Sequence, residues 1–357
     1  MSQPAAGKGY DLILKGGRVL DERNGVDGLV DVAIKAGKIA AVGASLPPGD
    51  STVVDVRGAI VAPGLIDIHT HVYDKATSLS VDPSFIARRS AMTTMVDAGS
   101  AGAGNYDGFR DYVINRSPYR ILAFLNISFP GIFGFDKGVS IGEARLREML
   151  MTHIGTAPPT YGDVVSMLRP GDILTHCFRP DPNSALGSDR KMLNEVLAAR
   201  ERGVLFDIAH GMGAFGYDTT EQALQEGFKP DLISSDVHVI AIEGPAFDLL
   251  HTMSKLLNCG LSLPEVIGMS TNRPALAMRR PELGHLGIGA PADISVLRQV
   301  ESNYNFEDVV GEKRQGATLL QPVAVYLGGK EMEIGRRPFE EPFIVGEQGH
   351  YNRVAAQ

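Results

Sequence analysis

From Tyr10 to Ala62 apolar and polar residues alternate in short runs, "YDLILKGGRVL", "VDVAIKAGKIAAVG" and "STVVDVRGAIVA", separated by Gly-rich turns. A period of two puts every second side chain on one face of a strand, so this stretch predicts a small sheet module. After Ala62 the rhythm changes. Short apolar runs, "GLIDIHTH", "TTMVDAGS", "YRILAFLNIS", "LMTHIG", "DILTHCF", "VLFDIAHG" and "LISSDVH", are separated by stretches with helical spacing. That alternation predicts parallel βα units and hence an α/β barrel. One helix is predicted over "SDRKMLNEVLAARERG", opening on Ser188 and closing on Gly203. Past about Leu286 the two-residue rhythm returns in "GAPADISVLRQV" and "PVAVYLGGKEMEIG", so the two ends of the chain are expected to share one side sheet. The expected divisions are 1–62 and 286–339 for the two parts of a β-sandwich, 63–285 for the barrel, and 340–357 for a polar, loosely held tail.

A barrel of this kind closes with eight strands, and seven are legible. The deficit is local. Between Ser128 and Leu150 stand a Gly-rich loop, "FPGIFGFDKG", and one short helix, "SIGEARLREM", with Ser140 and Glu143 spaced as a capping box. Two βα units would need a strand and two helices there. A stretch of about 50 residues, the length of such a unit and its connections, is therefore expected to be missing between Phe129 and Thr152, nearest Leu150 and Met151.

Composition narrows the function. The chain has 357 residues, 44% of them hydrophobic, with 34 basic against 42 acidic side chains and a formal charge of −8. A large core is affordable, and no basic footprint for nucleic acid or an anionic membrane is present. A small-molecule substrate is the expected partner, with room for a homo-oligomer. Cys177 and Cys259 are too few for a disulfide scaffold. Neither a signal-like N-terminus nor a run of about 18 apolar residues occurs, so a soluble, cytoplasmic protein is expected.

The candidate chemistry lies at the strand ends. His69 and His71 are two apart on one strand, so their imidazoles share a side. His153 ends "MTHIG", His176 "LTHCF", His210 "DIAHG", and Asp236 and His238 close "SSDVH". In a parallel barrel the catalytic groups come from the C-terminal ends of several strands, and imidazole is the commonest metal ligand. A lone histidine is more often satisfied by backbone, but of nine histidines this many at strand ends predicts a metal centre. His251, His285 and His350 fall outside the pattern and read as surface or loop histidines.

These motifs resemble the amidohydrolase superfamily, and within it the deacetylase or dihydroorotase-like branch that is similar to D-aminoacylases. The resemblance runs from "GKIAAVG" through "PGLIDIHTH", "TTMVDAGSAG", "THIG", "LTHCF", "FDIAHG" and "ISSDVH" to "GIGAPADISVL". It implies a (β/α)8 barrel with a β-sandwich built from both termini, and one or two divalent metal ions, usually zinc, although Mn, Fe and Co suit the same ligands. Carried over by position, it makes His69, His71 and Asp236 ligands of the more buried metal, and His153 and His176 ligands of a second. Asp236 is implied as the general base and acid that takes a proton from the attacking water and returns it to the leaving group. His210 and His238 are placed to contact substrate or to orient a ligand. Tyr161 and Arg179 follow in mouth loops, where an Arg suits a substrate carboxylate. Two-metal members usually carry a bridging carboxylated Lys on strand four. The only Lys in that interval here is Lys137, which has no apolar strand around it.

The implied activity is metal-dependent hydrolysis of an acyl amide or ester on a small carboxylate-bearing compound. The alternatives are dihydroorotase-like opening of a cyclic amide, one-metal deamination of a heterocycle, and a non-catalytic scaffold. "HIGTAPPT" offers no Glu after His153 for the proton shuttle of a deaminase, and a scaffold would be expected to have lost ligands that are all in place.

Overall fold

The alternating N-terminal runs form two sheets, described here from a computed structural model that covers residues 9–132 and 149–337. A four-stranded sheet holds Leu12–Lys15, Asp31–Lys35, Lys38–Gly43 and Thr52–Asp55. A six-stranded sheet joins Arg18–Asp21, Val26–Leu29 and Ile60–Pro63 to Ile294–Glu307, Lys313–Leu327 and Lys330–Met332, so strands from both ends of the sequence do pair. The seam between them is antiparallel, with Ala62 opposite Ser295 and Val61 opposite Val296. Ile13 lies in the four-stranded sheet with Leu14, and Leu14, Val32, Ile34, Val61, Ile294, Val296 and Tyr326 share one buried apolar cluster. The C-terminal strands extend well beyond the expected runs. They form one long hairpin whose far half leaves this cluster and packs Phe306, Leu319 and Leu320 into the main core.

The parallel strands follow the expected order. Arg120–Asn126, Met92–Gly102 and Leu65–Thr70 form one parallel group, and Met151–Thr152, Ile173–Leu174 and Leu205–Phe206 another. The stretch around "LISSDVH" links the groups by two single parallel bridges, Asp207 to Leu232 and Thr70 to Val237, rather than by a regular ladder. Side chains take part of the backbone pairing here: Ser235 N donates to Asp67 Oδ1 at 3.1 Å and Ala209 N to Ser234 Oγ at 3.1 Å. Ile68, Val96, Leu122, Phe124, Met151, Ile173, Leu205 and Leu232, from strands on either side, pack into a common apolar cluster.

Arg120–Asn126 and Met151–Thr152 stand at the two ends of this series, and among the described residues no pairing joins them. This unpaired interval coincides with the stretch of sequence in which no further strand is legible. At Leu150–Met151, the point named for a break, the register with Ile173–Leu174 runs without interruption: Ile173 N donates to Leu150 O at 2.7 Å and Met151 lies opposite Ile173. Lys137, nearly all of the helix expected over 140–149, and the tail from Glu340 lie outside the described residues.

The helix expected to open on Ser188 instead spans Asn194–Glu201. Residues before it are held by a tight turn in which Leu186 bridges Met192 and Gly187 N donates to Lys191 O at 2.8 Å, which buries Leu186 and Met192. Tertiary packing here overrides the local helical preference. The other end agrees with expectation, since Gly203 adopts a φ of +91° just past the last turn. Among the described residues no helix is long and apolar enough to cross a membrane.

Candidate metal centre

Three of the strand ends reach the centre by a sharp turn. His176, Ala209 and Asp236 have φ values of +63°, +39° and +47°, a region L-residues rarely occupy, so the backbone spends energy to aim these side chains. The strain is held by hydrogen bonds from neighbouring strands: Asp236 N donates to His69 O at 2.8 Å and Gly211 N to Ser235 O at 2.9 Å.

Ligand-capable atoms of His69, His176 and Asp236, all buried, lie within 4.8 Å of one another. His71 joins through Asp236, whose Oδ1 is 3.2 Å from His71 Nε2 and 3.4 Å from His69 Nε2. His153 adjoins through His176, with ring centroids 4.5 Å apart, and is the exposed member of the group. All five expected ligands are therefore gathered at one place, and the tightest trio draws from both expected metal positions.

The Nδ1 atoms show what each ring presents. His176 Nδ1 faces Ala209 O at 2.8 Å, an acceptor, so Nδ1 carries the proton and Nε2 keeps its lone pair. His69 Nδ1 is bonded to Thr175 Oγ1 at 2.9 Å and His71 Nδ1 to Ser100 Oγ at 3.0 Å, which leaves both Nε2 atoms facing Asp236. His238 is the reverse. Its Nδ1 accepts from Ile240 N at 3.3 Å, so the neutral ring carries its proton on Nε2 and offers a donor rather than a ligand.

His210 behaves differently again. Its Nδ1 donates to Gly211 O at 3.0 Å and its Nε2 accepts from Lys255 Nζ at 2.6 Å, while its ring stacks on Phe215. Both nitrogens are thus engaged within the protein. Lys255, fully buried, also donates to Pro245 O at 2.9 Å and Glu307 O at 2.6 Å. Burial pulls its pKa down to about 7. Nothing in an apolar helical run such as "LLHTMSKLLN" marks this Lys as a buried tie between strand end, loop and hairpin. Lys255→Met would remove the donor from the buried His210 Nε2 and from two part-buried carbonyls, and a loss of about 2–3 kcal/mol is expected at roughly 1 kcal/mol for each contact. Denaturant unfolding measures it, and unchanged stability would show that the three contacts contribute nothing net.

Tyr161 lies at the start of the Tyr161–Met167 helix, buried, with its hydroxyl donated to Cys177 O at 3.1 Å, so it does not open on the mouth. Arg179 does lie beside His153. It donates to the Ile154 and Gly155 carbonyls, its Nε has no hydrogen-bond partner, and it pairs with no carboxylate among the described residues.

The donor set suits a divalent cation. Asp236 Oδ1 is buried and receives no hydrogen bond, although two Nε2 atoms face it. Three acceptors converging in a buried site repel one another unless a positive charge lies among them. Beneath, burial pushes Asp67 up to about 7 against hydrogen bonds from Ser235.

Comparison with known proteins agrees with this geometry. Residues 149–321 match the model of the amidohydrolase family. Deacetylase Atu3266 of Agrobacterium fabrum is 30% identical over 348 residues, covering 84% of this chain and 86% of the relative. A deacetylase of Enterococcus faecalis is 29% identical over 90% of this chain and 98% of its own. The 348 compared positions outnumber the 84% of 357 residues they span, so the Agrobacterium protein carries residues inside the match that this chain lacks. Crystal structures of an adenine deaminase and of a dihydroorotase each superpose with a TM-score of 0.81 at 28% identity over 91% of this chain. With that coverage and the ligand order in place, the chain belongs to the amidohydrolase family, hydrolytic enzymes acting on C–N bonds.

Proposed function

We propose that this protein is a zinc-dependent deacylase that hydrolyses an acyl amide or ester of a small carboxylate-bearing compound. The observation that carries the reading is the buried Asp236 Oδ1, without a hydrogen bond and faced by the Nε2 atoms of His69 and His71. His69, His71, His176 and Asp236 would hold the ion, with His153 at the open side. A divalent ion held there would supply a water of lowered pKa and Lewis-acid polarisation of the scissile carbonyl. Asp236 accepts the proton of the attacking water as the new C–O bond forms, then passes it to the leaving nitrogen or oxygen as the acyl bond breaks. The Nε2–H of His238 is the donor available to the carbonyl oxygen as negative charge develops on it. Arg179, with no carboxylate partner among the described residues, supports a substrate carboxylate as its counter-ion. The parallel series is read as a (β/α)8 barrel with one strand place open between Arg120–Asn126 and Met151–Thr152.

Prolonged chelation is expected to abolish activity and added zinc to restore it. The test is a screen of N-acyl amino acids and O-acyl hydroxy acids against zinc-loaded protein, with dihydroorotate and adenine beside them. Turnover of dihydroorotate or adenine alone would replace the deacylase reading, and full activity in verified metal-free protein would remove the metal from it.

A further inference from the structure

We propose that Asp207 and Thr175 form a positioning pair that fixes the proton of His69 on Nδ1 and so makes its Nε2 a metal ligand. This rests on the reading of His69 as a ligand. Neither Thr175 nor Asp207 stands out in the sequence, and both are buried.

The argument is one of donors and acceptors. Asp207 receives Ser234 Oγ at 2.7 Å on one oxygen and Thr175 Oγ1 at 2.8 Å on the other. A carboxylate only accepts, so the single hydroxyl hydrogen of Thr175 is committed to Asp207. The Thr175 oxygen, 2.9 Å from His69 Nδ1, is left to accept, and Nδ1 must carry the proton. The lone pair then lies on Nε2, the atom that faces Asp236 Oδ1 at 3.4 Å. Turning the hydroxyl toward His69 would reverse everything: Nδ1 would accept, Nε2 would carry hydrogen into the centre, and one Asp207 oxygen would lose its donor.

The pair also joins three strands. Thr175 precedes His176, so one strand end supplies a ligand and the group that orients a ligand on another strand. Thr175 is itself fixed, with its N–H donated to Thr152 O at 3.1 Å. Asp207 lies 3.7 Å from His69 Nδ1, close enough to favour hydrogen there electrostatically as well.

The experiment uses the full chain, stripped of metal and titrated with zinc against a chromophoric chelator, together with ¹⁵N-histidine NMR of the metal-free protein. Thr175→Val is expected to weaken zinc binding about 10–100-fold, the usual cost of losing an outer hydrogen bond to a metal-binding His, while Thr175→Ser keeps wild-type affinity. Asp207→Asn offers an N–H to Thr175, turns the hydroxyl toward His69, and is expected to move the His69 proton to Nε2 in the spectrum. If Thr175→Val does not fold, Thr175→Ser against Asp207→Asn decides. Wild-type zinc affinity in a folded Thr175→Val, or an Nε2–H tautomer of His69 in the wild type, overturns the proposal. A wild type that binds no zinc but shows His69 as Nδ1–H fails the metal reading and leaves the pairing supported.

Discussion

Asp236→Asn is expected to lower kcat by about 10²–10⁴-fold, the range for loss of a positioned general base. The amide keeps the shape of the side chain but has no carboxylate to receive a proton. Its site makes the loss hard to offset, because Oδ1 is buried with only His69 and His71 Nε2 facing it. Water has little room to substitute as base there. KM should move much less, since the residues proposed to hold substrate, Arg179 and His238, are untouched. Steady-state kinetics at matched zinc content checks this. A variant with near-normal kcat would reduce Asp236 to a structural role.

Gly211→Ala should give a folded but almost inactive protein. Gly211 sits at φ +50°, and a Cβ there would lie 2.2 Å from Asp236 Oδ2, far inside contact distance. The left-handed backbone alone costs about 1–2 kcal/mol for an L-residue. The clash need not unfold the chain, because the carboxylate is the end of a side chain and can swing aside. Swinging aside removes it from His69 and His71, and a misplacement of about 1 Å at a reacting group costs on the order of 10²-fold in rate. Thermal melting, zinc content and kcat measured on the same preparation separate the two effects. Normal kcat in this variant would mean that Asp236 Oδ2 is not where the reaction needs it.

Much of the centre was legible because its residues repeat one position. His69, His71, His153, His176 and Asp236 all close apolar runs, and a parallel array brings run ends together whatever the loops do. The resemblance to amidohydrolases added their roles. What stayed hidden depends on contacts between distant residues. Ser188 has the chemistry of a helix cap, yet the burial of Leu186 and Met192 claims the turn and the helix waits until Asn194. His210 has the placement of a substrate contact, yet Lys255, 45 residues on, occupies its Nε2. Tyr161 follows a strand as a mouth residue would, but its hydroxyl turns inward to Cys177 O. No local period records such pairings. The absence of pairing between Arg120–Asn126 and Met151–Thr152 among the described residues falls, by contrast, in the interval where the sequence offers too few strands for an expected eight.

The clamp on the His69–His71 strand has a consequence for the order of events during synthesis. Gly64 N donates to Asp293 O, and Leu65 N donates to Ser295 Oγ, whose own hydrogen goes to Ala91 O. The strand that carries the first two ligands is therefore secured by residues made 230 positions later. At about 5–20 residues per second a ribosome needs roughly 10–50 s to cover that distance. Through that interval the nascent strand lacks this anchor, although the last of the proposed ligands, Asp236, is made before it. Fixing of the first ligand strand is therefore a late event in synthesis, set by the closing hairpin and not by the ligands themselves.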